Sequence, residues 1–258
     1  MTISQEERGN MQIKGEHKCE IGRRNVNIII ILAIIIFMES FITPEERSLD
    51  YIIRWIFGYI GFNSRNLFFS SLIRFLFPQI AILLLWGDYI HENIVTNYEL
   101  IFTRTRKSHK VLWKYIAQLA LKSTLTVAFL ETVLCFIYLL KGCRIDSVFD
   151  ICFDMGLYCI YMDFLIIAVN IISLVLSSIS SVIIVLVIQL LLLEKTYHIL
   201  QGDVISKIYY ILPTSPVMLV NNAGLGHGIK SIWAVYLVAI AVVLFIAGCQ
   251  YTSHREYY

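Results

Sequence analysis

FLIIAVNIISLVLSSISSVIIVLVIQLLLL, residues Phe164–Leu193, carries no charged side chain over its whole length. A helix crossing a bilayer core of about 30 Å needs roughly 20 apolar residues. Thirty is long for one upright helix and short for two with a loop between them. Starting at Met155, however, the apolar material amounts to nearly two spans, which favours two helices over one tilted helix. Ser177-Ser-Ile-Ser-Ser181 is the turn available between them, though serine is a modest turn former and no Gly or Pro helps it. This stretch makes the chain a membrane protein.

Composition agrees. The 258 residues are 58% hydrophobic and 16% charged, with mean hydropathy +0.71. A soluble domain carries roughly a quarter charged residues. A net charge of +2 is too small to suggest nucleic-acid binding. The expected fold is all-α and polytopic, with six transmembrane helices at about 26–42, 67–89, 115–140, 155–176, 182–200 and 231–250. Residues 1–25 are polar and the run after them lacks a small-residue cleavage site, so the first span is expected to act as an uncleaved anchor. Arg8, Lys14, Lys18, Arg23 and Arg24 precede it. Five more cations, Arg104, Arg106, Lys107, Lys110 and Lys114, follow the second span. Cations flanking spans stay in the cytoplasm, so both termini are expected there. The opposite loops hold Glu45, Glu46, Asp50, Asp146, Asp150 and Asp154 among their cations.

Two connections are more than linkers. Between spans two and three, Ile94, Val95, Tyr98, Ile101 and Phe102 recur at helical spacing, predicting an amphipathic helix over about 92–102 on the cytoplasmic surface. It suits a handle for a cytoplasmic partner; the alternative is an interfacial helix that covers lipid headgroups. Between spans five and six, Ile205, Ile208, Tyr209 and Leu212 share a face before Pro213, and Pro216 opens a second short piece. These predict short helices over about 204–220 that dip in from the outer surface, or a partly buried surface hairpin.

The layout resembles the permease subunit of type-2 ABC transporters. The residue match is confined to about 92–114: Glu99-Leu-Ile-Phe-Thr-Arg104, then Lys107-Ser-His-Lys110, then Trp113-Lys114. It is similar to the loop where members carry a hydrophobic pair, Thr-Arg, a basic cluster and a Lys opening the third span. It departs in two places. The Glu-x-Gly-Thr of many members reads Ile94-Val-Thr96-Asn97 here, with Glu92 two residues early, and Thr105 stands where a Pro often follows the Arg. The resemblance implies an ATP-driven exporter of a peptide or other amphipathic substrate in the cell membrane, with a coupling helix in this loop. Glu92, Ile94, Tyr98, Glu99, Ile101, Phe102 and Arg104 would contact the ATPase. It also implies partners: an ABC ATPase subunit in two copies, and a second permease half, identical or related. ATP would bind that ATPase, since the chain has no G-x-x-x-x-G-K-[ST], and Gly224-Leu-Gly-His-Gly228 reads as a flexible turn. The alternative is a non-transporting membrane protein, such as a peptide-binding immunity or sensor protein.

Nothing in the sequence points to catalysis, a cofactor or a metal. His91-Glu92 lacks the second His of a zinc-protease helix, because position 95 is Val. Glu45-Glu46 lacks the Arg that glutamate intramembrane proteases carry four residues on; Asp50 stands there. The six histidines are scattered, no Gly-x-Ser-x-Gly elbow occurs, and the six cysteines form no metal motif. Cys143 and Cys152 share an outer loop and are expected as free thiols. Ionisable groups inside spans are costly and need a reason. Arg74, Glu131 and Asp163 are expected at a shared depth of roughly 10–14 Å below the outer surface, with Arg74 paired to Glu131 first and Asp163 second. They either lock helices together or line a substrate path. Lys122 is expected to snorkel to the inner headgroups.

Overall fold

The computed structural model describes residues 48–58, 68–95, 108–201, 207–219, 222 and 226–255. The expected first span, about 26–42, and most of the predicted coupling helix lie outside them. The described residues form helices and turns with no strand. Four helical segments are long and apolar enough to cross a membrane: Trp113–Leu140, Val148–Ile172, Ser178–Thr196 and His227–Gln250.

The first described helix, α1 (Leu49–Phe57), lies between the expected first and second spans, where no helix is expected. Ser48 caps it by accepting from the Tyr51 backbone N at 3.4 Å. Leu49, Ile52, Ile53, Ile56 and Phe57 alternate at three and four residues and are all buried on one face. The Phe57 ring lies 4.8 Å from that of Tyr158. Helix α2 (Phe68–Trp86) is the described part of the expected second span. It ends at Gly87, where an added Cβ would lie 2.4 Å from the Leu83 carbonyl oxygen and about 3 Å from Val169 and Val182. Only glycine lets the chain pass that close. A π-helical turn, His91–Val95, follows.

Helix α3 (Ser108–Leu140) begins seven residues before the expected third span. Its end is closed by a left-handed Gly142 (φ +85°), with Cys143 N donating to Tyr138 O at 3.2 Å. Helix α4 (Val148–Ile172) starts seven residues earlier than expected, because Ser147 caps it on Asp150 N at 3.2 Å. The central apolar stretch is two helices, but the break lies at 173–177 rather than over the five serine-rich residues 177–181. Ser177 begins α5 (Ser178–Gln201) instead of turning the chain: its Oγ accepts from Ser180 N at 3.3 Å. Serine satisfies a helix's first donors better than it makes a turn. The turn is made one step earlier by successive tight bonds, Ser173 N to Val169 O and Leu174 N to Ile171 O. Helix α6 (His227–Arg255) closes the bundle.

Helix α4 is central. It packs against all five other helices, and 61% of its span is buried, against 22–33% for the other three. The expected short helices over about 204–220 are two single 3₁₀ turns, Lys207–Ile211 and Ser215–Val217, packed on the ends of α4, α5 and α6. Tyr209 donates to Asn222 Oδ1 at 2.6 Å, Asn222 Nδ2 to Ser215 O at 2.7 Å, and Ser215 Oγ to Tyr209 O. Neither turn is long enough to satisfy its own backbone, so side chains do so.

Candidate functional site

The polar side chains of α4 and their partners lie at three levels. At the end that carries α1, Asp154 sits between two cations. Arg54 Nε donates to its Oδ2 at 2.6 Å and Lys230 Nζ to its Oδ1 at 2.7 Å. Asp154 and Lys230 are each 1% exposed. One carboxylate thus joins α1, α4 and α6. Close by, His227 lies 3.3 Å from Asp150 and against the rings of Phe149 and Phe153. Asp50 is buried too, accepting from Asp146 N at 2.9 Å and Ser147 N at 3.4 Å, so it fastens α1 to the α3–α4 loop. Sequence reasoning took Asp50 and Asp154 as loop acids. Helical spacing of Ile52, Ile53 and Ile56 was the signal for α1, and it was short enough to miss.

Halfway along α4, Glu131 and Asp163 take neutral donors. Glu131 Oε2 accepts from the Cys159 thiol at 3.3 Å, and its Oε1 has no partner among the described residues. Asp163 Oδ2 accepts from Thr124 Oγ1 at 2.5 Å and Oδ1 from Ser123 Oγ. Both hydroxyls also reach Ala120 O, at 2.8 and 3.0 Å. Each has one proton, and a carboxylate is the stronger acceptor. The two acids do not share a level. Because α4 begins at Val148, Asp163 lies about 22 Å from that end at 1.5 Å per residue, and its partners on α3 precede Glu131 by seven and eight residues. The side chain of Arg74 lies outside the described residues, and so does its expected pairing. Deeper in the packing, Gln189 Nε2 donates to Gln79 Oε1 at 2.5 Å, a buried amide pair between α5 and α2.

At the other end, Asn170 is wholly buried and holds the chain leaving α2. Its Oδ1 accepts from Ile90 N at 2.9 Å; its Nδ2 donates to Trp86 O at 2.7 Å and Ile166 O at 2.9 Å. His91 Nδ1 lies 3.1 Å from Ser173 O. Tyr89 accepts from Lys122 Nζ at 3.1 Å, and that ammonium stands 4.5 Å from the Tyr89 ring. Lys122 is exposed, and its ammonium has this aromatic partner as well. Of the residues expected to contact an ATPase, Glu92 is exposed at the start of this segment and Ile94 lies in the π turn. The rest, Tyr98, Glu99, Ile101, Phe102 and Arg104, lie outside the described residues.

An apolar groove runs along α4 between α3 and α6, with a volume of about 250 Å³. Ile116 and Ala120 line one wall, Leu237 and Ala241 the other, and among the described lining residues Asp163 is the one acidic side chain. Trp113 and Phe245 face each other at 4.2 Å between ring centroids at one end. Trp113 is half exposed to the outside of the bundle. Among the described residues no group of three or more His, Cys, Asp or Glu is arranged to hold a metal. Cys143 and Cys152 are free thiols.

Compared with protein-family models, curated proteins and solved structures, the chain finds no match.

Proposed function

We propose that this chain is the membrane subunit of an ATP-driven exporter of a peptide or other amphipathic molecule. In this reading it has six spans and cytoplasmic termini. It works with a separate ATPase and a second membrane half. The carrying observation is the clamp of Asn170 on Trp86 and Ile90. That clamp fixes the exit of α2, where the basic insert begins, to the same helix that holds Asp163. A push on the insert would then reach the groove through the hydrogen bonds of Asn170 and the packed helix α4. The basic cluster Arg104 to Lys114 keeps the insert on the cytoplasmic side, where an ATPase can reach it.

The test is purification of the full chain from its native membranes in mild detergent. A nucleotide-binding subunit is expected to copurify. Tyr98→Ala and Phe102→Ala should each weaken that association by ~1–3 kcal/mol, as truncated aromatic anchors do. Repeated purification without such a subunit rejects the transporter reading and favours a protein that binds its peptide without moving it. Full assembly of both variants rejects the insert as the handle.

A further inference from the structure

We propose that the groove between α3, α4 and α6 binds a lipophilic monovalent cation whose charge is spread over an apolar body. This deepens the transport reading by naming a substrate class, but the binding itself does not depend on transport.

The argument starts from charge. Asp163 offers a carboxylate inside a groove whose walls are otherwise almost wholly apolar. Its hydrogen-bond donors are the hydroxyls of Ser123 and Thr124, which stabilise negative charge without neutralising it. No described cation forms an ion pair with it. Near α4, Asp154 has two cations and Lys122 has Tyr89, while Glu131, like Asp163, takes only a neutral donor but is buried and does not line the groove. An uncompensated carboxylate in so apolar a setting is costly, and a cation entering the groove removes that cost.

The walls then choose among cations. A primary ammonium carries three N–H donors that each need an acceptor. Asp163 already receives two hydroxyls, and the lining side chains around it are Ile, Ala, Leu, Val, Phe and Trp. Such a head would leave donors unsatisfied in a dry site, at substantial cost. A cation with no N–H and a delocalised or shielded charge has no such demand. It keeps the Coulomb attraction and buries its apolar body.

Shape and access agree with this. Trp113 and Ser123 are ten residues apart on α3, so the groove extends about 15 Å at 1.5 Å per residue from the ring pair to the carboxylate. The half-exposed Trp113 ring adds an aromatic surface that attracts cations at that end. Val238 and Val242 are exposed along its α6 wall. A molecule dissolved in the bilayer therefore reaches Asp163 sideways, without crossing a polar layer.

The experiment uses the purified full chain in nanodiscs of zwitterionic phosphatidylcholine. Equilibrium binding of tetraphenylphosphonium is compared with that of tetraphenylborate, an anion of nearly the same shape. Saturable binding of the cation, at least tenfold tighter than the anion, is expected. Asp163→Asn should weaken cation binding at least tenfold. Ala117→Phe, which fills the groove and leaves the carboxylate intact, should do the same and guards against misfolding of the first variant. Equal binding of the two ions, unchanged affinity in the variants, or a phospholipid in the groove that the cation does not displace would each overturn the assignment. Binding that survives while no ATPase partner is found leaves this site standing and removes the transport reading alone. ATP-driven export by a chain whose tetraphenylphosphonium binding is unchanged in Asp163→Asn does the reverse.

Discussion

Asp154 supplies one negative charge to a buried ammonium and a partly buried guanidinium, so substitutions around it should not be symmetric. Asp154→Leu strands both Arg54 and Lys230 and is expected to cost about 3–5 kcal/mol, the usual penalty for an unpaired buried charge. Lys230→Met leaves a matched Arg54–Asp154 pair and replaces a buried ammonium with an apolar chain of similar length. It should be close to neutral. Thermal unfolding of the detergent-solubilised protein ranks the two, and Lys230→Met being the worse would show that the site is not organised around the carboxylate. Asn170 is a sharper case of hydrogen-bond arithmetic. Asn170→Leu orphans Ile90 N and Trp86 O, at about 1–3 kcal/mol for each buried group left unpaired. Asn170→Asp keeps the acceptor but sets a carboxylate against Trp86 O and Ile166 O in a wholly buried site, so it should be at least as damaging as Asn170→Leu in the same measurement.

Short polar devices at helix ends decide the elements here. Ser177→Ala removes the cap of α5 and should cost about 1 kcal/mol, whereas Ser180→Ala should cost less, since its backbone N–H is the donor. Gly87→Ala forces a methyl into the Leu83 carbonyl and should lower the melting temperature more than either. In the 3₁₀ turns, burial holds the Tyr209 phenol above its ordinary range, against the smaller opposite pull of Asn222. A raised folded value means the stabilising contribution is whole below the unfolded value near 10 and is lost as pH rises through the folded one. Stability measured from about pH 9 upward should therefore decline, and Tyr209→Phe should reduce that slope. These devices also mark where sequence reading succeeds and fails. The charge-free run fixes membrane helices because a bilayer leaves few alternatives for backbone donors. Its division at 173–177 is set by capping and by two hydrogen bonds one turn back, which hydropathy does not register. Helix α1 is nine residues long and draws its stability from packing on α4, so local pattern alone announces it weakly. The pairing of Asp163 with Ser123 and Thr124 depends on the register of two antiparallel helices, which moved when α4 proved to start at Val148.

For the molecule as a whole, the distribution of polar and apolar contacts along α6 matters most. His227, Lys230 and Trp233, within its first two turns, are held by Asp150, Asp154 and the Tyr210 carbonyl. Further along, Leu237, Ala241 and Phe245 meet the groove through apolar contact alone. Directional bonds resist sliding, while apolar surfaces slip past one another at little cost until they separate. The start of α6 is thus fastened by charge and hydrogen bond, and its groove wall by fit alone. The carboxylate of Asp163 and its two hydroxyls belong to α3 and α4, so the one polar element of that groove is assembled without any help from α6.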